Sequence, residues 1–269
     1  MFAWVNRTRL RSRVLILFDI DATLVLTSRS GLWAMELAGQ ELFGDNFLIR
    51  DVEFAGRLDT LIIPEIFERS AVPVTPENLA RYKARYAELL EQRLADPGVV
   101  KTVLPGVREL LAEIGSRRAA GVDVTVGLLT GNYEHTGRMK LRHCGLDLSP
   151  FVVNAFADDA FHPHGSRDDL PPVALRRYRE RHGREADPSR TVIIGDSPAD
   201  VRCAKVNGCR ALAVATGVHS LEQLRACTPH APDLAVQSLA DTAAVAAWMF
   251  DAVANEKPPA TAPGARNGV

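Results

Sequence analysis

The stretch LILFDIDATLV, residues 15–25, decides how the chain folds. An unbroken apolar run, long enough for a strand, ends abruptly in Asp19 and Asp21. Strands that are apolar on both faces belong to parallel sheets covered by helices on either side. Two carboxylates at the end of such a strand repel each other and are partly desolvated, which is unfavourable unless a cation joins them. Between them and Thr23 stands Ala22, in a turn that glycine would enter more comfortably.

The same grammar recurs along the chain. Apolar runs VLILF (14–18), VTVGLL (124–129), FVVNAF (151–156), TVIIG (191–195) and ALAVA (211–215) alternate with segments of helical periodicity. PGVRELLAEI sets Val107, Leu110, Leu111 and Ile114 on one helix face, and PADVRCAKVNG stops at Gly208, a residue suited to ending a helix. This predicts an α/β fold, a three-layer α/β/α sandwich around a parallel, Rossmann-like sheet. Between Thr27 and Gly98 the strand pattern disappears and several helices are expected. One starts at Thr75-Pro76, with threonine as cap and proline in the first turn. It carries Leu79, Tyr82, Tyr86, Leu89 and Leu94 on one stripe, which makes the tyrosines core residues, and it stops at Asp96-Pro97-Gly98. The expected organisation is an α/β core from 1–26 and 98–250, an inserted all-helical cap subdomain over 27–97, and a disordered Pro/Gly/Ala-rich tail over 251–269.

Composition sets the class. With 269 residues, 46% hydrophobic and 24% charged, and a net charge of −1, the chain reads as a soluble globular protein without the charge that nucleic acid or a membrane surface would attract. Arg7, Arg9, Arg11 and Arg13 read as a solvated lead-in to the first strand. They precede an apolar run as in a signal sequence, but that run ends in two aspartates with no small-residue cleavage site, and no run is long enough to span a bilayer. Cys144, Cys203, Cys209 and Cys227 show no CxxC spacing and read as reduced thiols of a cytoplasmic protein, with Cys203 a small buried hydrophobe. His162 and His164 lack ligand partners at metal-binding spacing and read as loop residues. GxxxxGK, GxGxxG and GxSxG are all missing, against a P-loop kinase, a dinucleotide enzyme and a serine hydrolase.

In an open parallel sheet the carboxyl ends of the strands share one edge, where ligands bind. That edge collects Asp19, Asp21 and Thr23, then Thr130-Gly131-Asn132, then Gly195-Asp196-Ser197 with Asp200 one turn on, and a loop containing Arg167. Asp19, Asp21 and Asp196 form a hard oxygen site suited to Mg²⁺, which would offset the carboxylate repulsion. Thr130, the backbone amides of Gly131 and Asn132, and the charge of Arg167 are donors for a phosphoryl group. An aspartate can attack phosphorus, and a carboxyl two residues away can move the proton.

On DIDATL, LLTGN and GDSPAD, in that order and each after an apolar run, the chain resembles the haloacid dehalogenase-like superfamily. Its helical block is similar to the cap of the phosphoglycolate-phosphatase-like branch, and the resemblance spans residues 14–250. It implies Asp19 as phosphate-accepting nucleophile and Mg²⁺ ligand, and Asp21 as general acid/base with its backbone carbonyl on the metal. Asp196 would be a further ligand, with Asp200 orienting that metal shell. Thr130, Gly131 and Asn132 would hold the phosphoryl group. FAGRLD is similar to a Gly-Arg-Thr-Asp stretch of related caps, which implies that Arg57 and Asp59 face the substrate. The implied activity is Mg²⁺-dependent hydrolysis of a small phosphorylated metabolite, phosphoglycolate-like or a sugar phosphate, by a monomer or homodimer without nucleic-acid or membrane partners. Two departures stand out. Ala22 replaces the usual glycine, and the usual Lys-Pro pair is missing, with Arg167 as its substitute and Arg176 and Arg177 on a solvated helix face. The competing readings are a metal-independent haloacid dehalogenase, disfavoured by Asp21, and a catalytically silent phosphoacceptor or binding module, disfavoured by the inserted helices.

Overall fold

A computed structural model describes residues 13–160 and 165–251. The expectations for Arg7, Arg9, Arg11, His162, His164 and the tail after Asp251 lie outside the described residues. In chain order the elements are β1 (Arg13–Phe18), β2 (Val25–Leu26), α1 (Ser30–Phe43), α2 (Asp59–Arg69), α3 (Pro76–Ala95), β3 (Thr102–Val103), α4 (Val107–Ala119), β4 (Asp123–Leu128), α5 (Glu134–His143), α6 (Leu170–His182), β5 (Thr191–Gly195), α7 (Pro198–Val206), β6 (Arg210–Val214), α8 (Leu221–Arg225), β7 (Leu234–Val236) and α9 (Thr242–Asp251).

Five strands pair in parallel in the order β4-β1-β5-β6-β7, with β1 against β4 and β5. Alternation along β1 builds two cores. Val14, Ile16 and Phe18 pack on one face with α4 and α9, through Leu110, Ile114, Val245 and Met249. Leu15 and Leu17 pack on the other with α6 and α7, through Val173, Tyr178 and Val201. Each of these buried side chains contributes roughly 1.5–3 kcal/mol, which is why a strand with no polar face is stable only in the middle layer.

The run at 151–156 does not form a strand. It pairs with the chain of β4 only as isolated bridges, at Val126–Phe151 and, one residue past the strand, at Leu129–Ala155. Between them the Asn154 side chain, not a backbone carbonyl, accepts the Leu128 N–H at 2.9 Å. The Val153 carbonyl presses on Gly127 so closely that a Cβ there would lie 1.5 Å from its oxygen. The apolar pattern was right about burial, and the local hydrogen bonding interrupts the ladder. The fifth strand is β7, three residues long.

Between β2 and β3, which pair antiparallel at Val25–Val103 and Leu26–Thr102, the chain forms the three helices α1, α2 and α3. Thr75 Oγ1 caps α3 by accepting the Asn78 N–H at 3.2 Å, with Pro76 in the first turn. Tyr82 and Tyr86 are fully buried. Tyr82 stacks edge-on against Phe67 at 5.2 Å between ring centres, and its hydroxyl donates to the Met35 carbonyl at 2.8 Å. The aromatic packing makes these helices one body. No helix among the described residues is long and apolar enough to cross a membrane.

Candidate active site

The carboxyl ends of β1, β4 and β5 meet beneath the helical block, around a cavity of about 720 Å³. β1 delivers Asp19, only 6% exposed, whose backbone N–H donates to the Ile194 carbonyl at 2.9 Å. β5 delivers Asp196, and α7 delivers Asp200 as the third residue of a capping box. Ser197 N–H and Oγ donate to Asp200 Oδ2 at 3.0 and 2.6 Å, and the Asp200 N–H donates back to Ser197 Oγ. Carboxylate oxygens of Asp19, Asp196 and Asp200 lie within 4.8 Å of one another, all buried. The side chain of Asp21 stands outside this trio. It is 46% exposed and turns toward Asn132 and Lys140.

Arg167 closes the trio from the loop ahead of α6. Its Nη2 lies 3.2 Å from Asp19 Oδ1, donates to Asp200 Oδ1, and donates to the Leu129 carbonyl at 3.3 Å. Burial works against the guanidinium charge, but Asp200 and Asp19 more than offset it, so Arg167 stays protonated. Burial likewise raises the Asp19 carboxyl above the usual carboxylate range, against the pull of Arg167. Asp196 is raised further, by burial first and then by the charges of Asp200 and Asp19. One arginine therefore does not balance three acids.

The residues expected to hold a phosphoryl group follow β4. Thr130 is fully buried, and its Oγ1 accepts from Asn132 Nδ2 at 2.9 Å. Asn132 Nδ2 also donates to Asp21 Oδ2 at 2.9 Å. Gly131 is required by close approach, because a Cβ there would lie 1.9 Å from the Arg57 carbonyl oxygen. The helical block is thus clamped onto the sheet edge. Asp59 N–H donates to the Gly131 carbonyl at 2.7 Å, and Tyr133 N–H donates to Asp59 Oδ2 at 3.0 Å. Burial pushes the Asp59 carboxyl up to about 6, against the pull of Lys140. Asp59 lines the cavity and also joins the helical block to the core.

Arg57 lines the cavity too, but its guanidinium is engaged within the cap. It donates to Glu65 Oε2 at 2.6 Å and to the Glu53 carbonyl at 3.0 Å. Arg177, expected on a solvated face, holds Asp159 through two hydrogen bonds of 2.6 and 2.8 Å. Cys203 is buried as expected. Ala22 has φ 54°, the left-handed region, as the glycine expectation implied.

Lys140 was missed. It belongs to α5, its side chain is 6% exposed, and it lies beside Asp21 and Asn132. The signal was its helical register: with Thr136, Gly137, Met139 and Leu141 buried around it, Lys140 falls on the inward face of α5.

Comparison with known proteins points to one family. The model of the haloacid dehalogenase-like hydrolase family matches residues 16–205, and a second, HAD-hydrolase-like, matches 169–242. The probable phosphatase IndB of Dickeya dadantii is 27% identical over 218 residues, covering 80% of this chain and 86% of that protein. The phosphoglycolate phosphatase of Rhodospirillum rubrum is 30% identical over 134 residues, half of this chain and 47% of that enzyme. Among solved structures, β-phosphoglucomutase from Clostridium difficile superposes with a TM-score of 0.64 at 14% identity, covering 90% of this chain and 100% of that one. CbbY from Rhodobacter sphaeroides, in complex with phosphate, gives 0.61 at 20% identity, covering 85% and 96%.

Proposed function

The chain belongs to the haloacid dehalogenase-like hydrolase family, and from that premise we propose that it is a phosphatase for a small phosphorylated metabolite, using Mg²⁺ and Asp19 as nucleophile. The observation that carries this reading is the placement of three buried carboxylates, Asp19, Asp196 and Asp200, beside the hydroxyl and amide donors of Thr130 and Asn132.

The donor set fits Mg²⁺. The oxygens are hard, they converge, and their charge is balanced only in part by Arg167, which leaves Asp19 and Asp196 raised. Asp19 and Asp196 would hold the ion with the Asp21 backbone carbonyl, while Asp200, tied to Ser197 and Arg167, would orient that shell. Bound there, the ion supplies positive charge for the phosphoryl oxygens.

The residues divide the remaining work. Arg167, 3.2 Å from Asp19 Oδ1, fixes the orientation of the nucleophilic carboxylate. Thr130 and the backbone amides after it donate to the phosphoryl oxygens as charge gathers on them. Asp19 attacks, giving an aspartyl-phosphate. Asp21 protonates the departing oxygen and then deprotonates the water that releases phosphate. The clamped helical block keeps bulk water from the first displacement. A cavity of about 720 Å³ has room for a phosphoryl group and its carbon chain, and phosphoglycolate or a sugar phosphate is the substrate class that the resemblance in sequence implies.

The test is phosphate release from a panel of small phosphoesters, with Mg²⁺ and with chelator, by wild type and Asp19→Asn. Turnover that needs Mg²⁺ and is lost in Asp19→Asn is expected. Wild-type protein that releases no phosphate from any of them overturns the reading, and a stable phosphorylated Asp19 without turnover would identify a phosphoacceptor module instead.

A further inference from the structure

A buried ammonium group is costly unless it is paired, and Lys140 is paired with two residues of the reaction itself. Its Nζ donates to Asp21 Oδ2 and to Asn132 Oδ1, both at 2.6 Å. The first turn of α1 covers it: a Cβ at Gly31 would lie 3.3 Å from that nitrogen, so glycine lets the helix close over the lysine. The orientation of the Asn132 amide follows from this arrangement. Lysine only donates, so the amide oxygen faces Lys140, and the amide nitrogen is left to donate to Asp21 Oδ2 and Thr130 Oγ1, both at 2.9 Å.

Asp21 Oδ2 consequently receives two hydrogen bonds, from Lys140 and from Asn132. Asp21 Oδ1 has no hydrogen-bond partner among the described residues, and Asp21 lines the cavity. Resting on the phosphatase reading above, we propose that Lys140 is a positioning residue that, with Asn132, occupies one oxygen of Asp21 and presents the other, Oδ1, to the leaving group. In the first displacement the Asp19 oxygen–phosphorus bond forms, the ester P–O bond breaks, and the proton on Asp21 Oδ1 passes to the departing oxygen. In the second, a water oxygen bonds to phosphorus, the Asp19–phosphorus bond breaks, and the water proton returns to Oδ1.

Lys140 thus acts through Asp21 and touches no reacting atom. Its loss leaves the nucleophile, the acidic trio and Arg167 in place and lets the acid swing away from the leaving oxygen. The deficit must therefore depend on how much the leaving group needs a proton. An alkoxide leaving group needs it; p-nitrophenolate leaves without one. A lysine that served only to hold the fold together would affect both esters alike.

The experiment compares kcat/KM for an alkyl phosphate, sn-glycerol 3-phosphate or phosphoglycolate, with kcat/KM for p-nitrophenyl phosphate, in wild type, Lys140→Met, Asp21→Asn and the double variant, together with thermal midpoints. Lys140→Met is expected to lose about 100-fold on the alkyl ester and less than about 10-fold on the aryl ester. The double variant is expected to be no worse than Asp21→Asn on the alkyl ester. Equal losses on the two esters, or no loss on either, overturn the assignment. If Lys140→Met does not fold, Lys140→Gln, which keeps a donor for Asp21, is read in the same way: it must retain more alkyl-ester activity than Lys140→Ala, and equal losses overturn the assignment. Wild-type protein inactive on both esters overturns the phosphatase reading and this one with it, whereas an active wild type with indifferent lysine variants overturns this one alone.

Discussion

Arg167 Nη2 stands 3.2 Å from Asp19 Oδ1, and the same nitrogen donates to Asp200. Where the resemblance in sequence led to the expectation of a lysine, a guanidinium reaches more partners than a point charge can. Arg167 also reaches the Leu129 carbonyl at 3.3 Å and the Gly56 carbonyl of the helical block at 3.4 Å. Lysine would keep the charge and lose the fork. Arg167→Lys is expected to lower kcat at least about 10-fold while the protein stays folded. Arg167→Ala leaves buried carboxylates unpaired and should cost about 3–5 kcal/mol in denaturant unfolding. Retention of full activity by Arg167→Ala would remove Arg167 from the site.

The acidic trio is expected to make stability depend on divalent cation. Asp196 is raised by burial and by its acidic neighbours, so the folded protein holds a proton there that the unfolded chain has released. Stability therefore falls as pH rises through the interval between the ordinary carboxylate value and the raised one. With chelator, the thermal midpoint should drop on going from mildly acidic to mildly alkaline buffer. Mg²⁺ should restore it, by about 2.7 kcal/mol at a hundred times its dissociation constant. Asp196→Asn should be no less stable than wild type in chelator and should gain nothing from Mg²⁺. A wild-type midpoint indifferent to Mg²⁺ at alkaline pH counts against the metal site.

How much of this was legible before the structure follows from where each signal lies. β1 and α3 were readable because their information is local: an apolar run closed by acids, and a Thr-Pro start with a stripe of Leu and Tyr. Asp19, Thr130, Arg167 and Asp196 were readable because strand ends in a parallel sheet share an edge, and the structure brings them together. The break at Asn154 was not, because it depends on a side-chain oxygen taking a backbone donor on another segment. Arg57 was read by likeness to related caps, and no motif announces that Glu65 on α2 will hold its guanidinium. Lys140 escaped because a helical lysine reads as solvent-facing, and its burial depends on the first turn of α1 arriving over it at Gly31.

Asp59 gives a pH effect away from the acidic trio. Its carboxyl is held at about 6 by burial, opposed by Lys140 and by the Tyr133 N–H. Because the folded value lies above that of an ordinary aspartate, stability is highest with the group protonated and is lost as pH rises from the ordinary value to the raised one. Keeping it ionised at neutral pH costs on the order of 3 kcal/mol. Asp59→Asn retains an acceptor for the Tyr133 N–H and stays neutral. It should be about 1–3 kcal/mol more stable than wild type at pH 8, with the advantage fading toward pH 4. A constant difference at both pH values would show that the charge is not the cause.

Ala22 is the last test, and it concerns the turn that puts Asp21 in place. The residue has φ 54°, where an L side chain crowds the following carbonyl. The turn is nonetheless held, by the Ala22 N–H donating to the Val25 carbonyl at 2.9 Å and by Thr216 Oγ1 donating to the Ala22 carbonyl. Glycine would relieve the strain, worth about 1 kcal/mol, while adding freedom to the unfolded chain. The net expectation for Ala22→Gly is a gain of no more than about 0.6 kcal/mol in denaturant unfolding, with kcat and KM within about twofold of wild type, because alanine contributes no functional group to the site. The kinetic half of this is the sharper. If Ala22→Gly changed kcat tenfold or more, the methyl group would be setting the direction of Asp21 through the turn, and Lys140 and Asn132 would not be enough to hold that carboxyl in position.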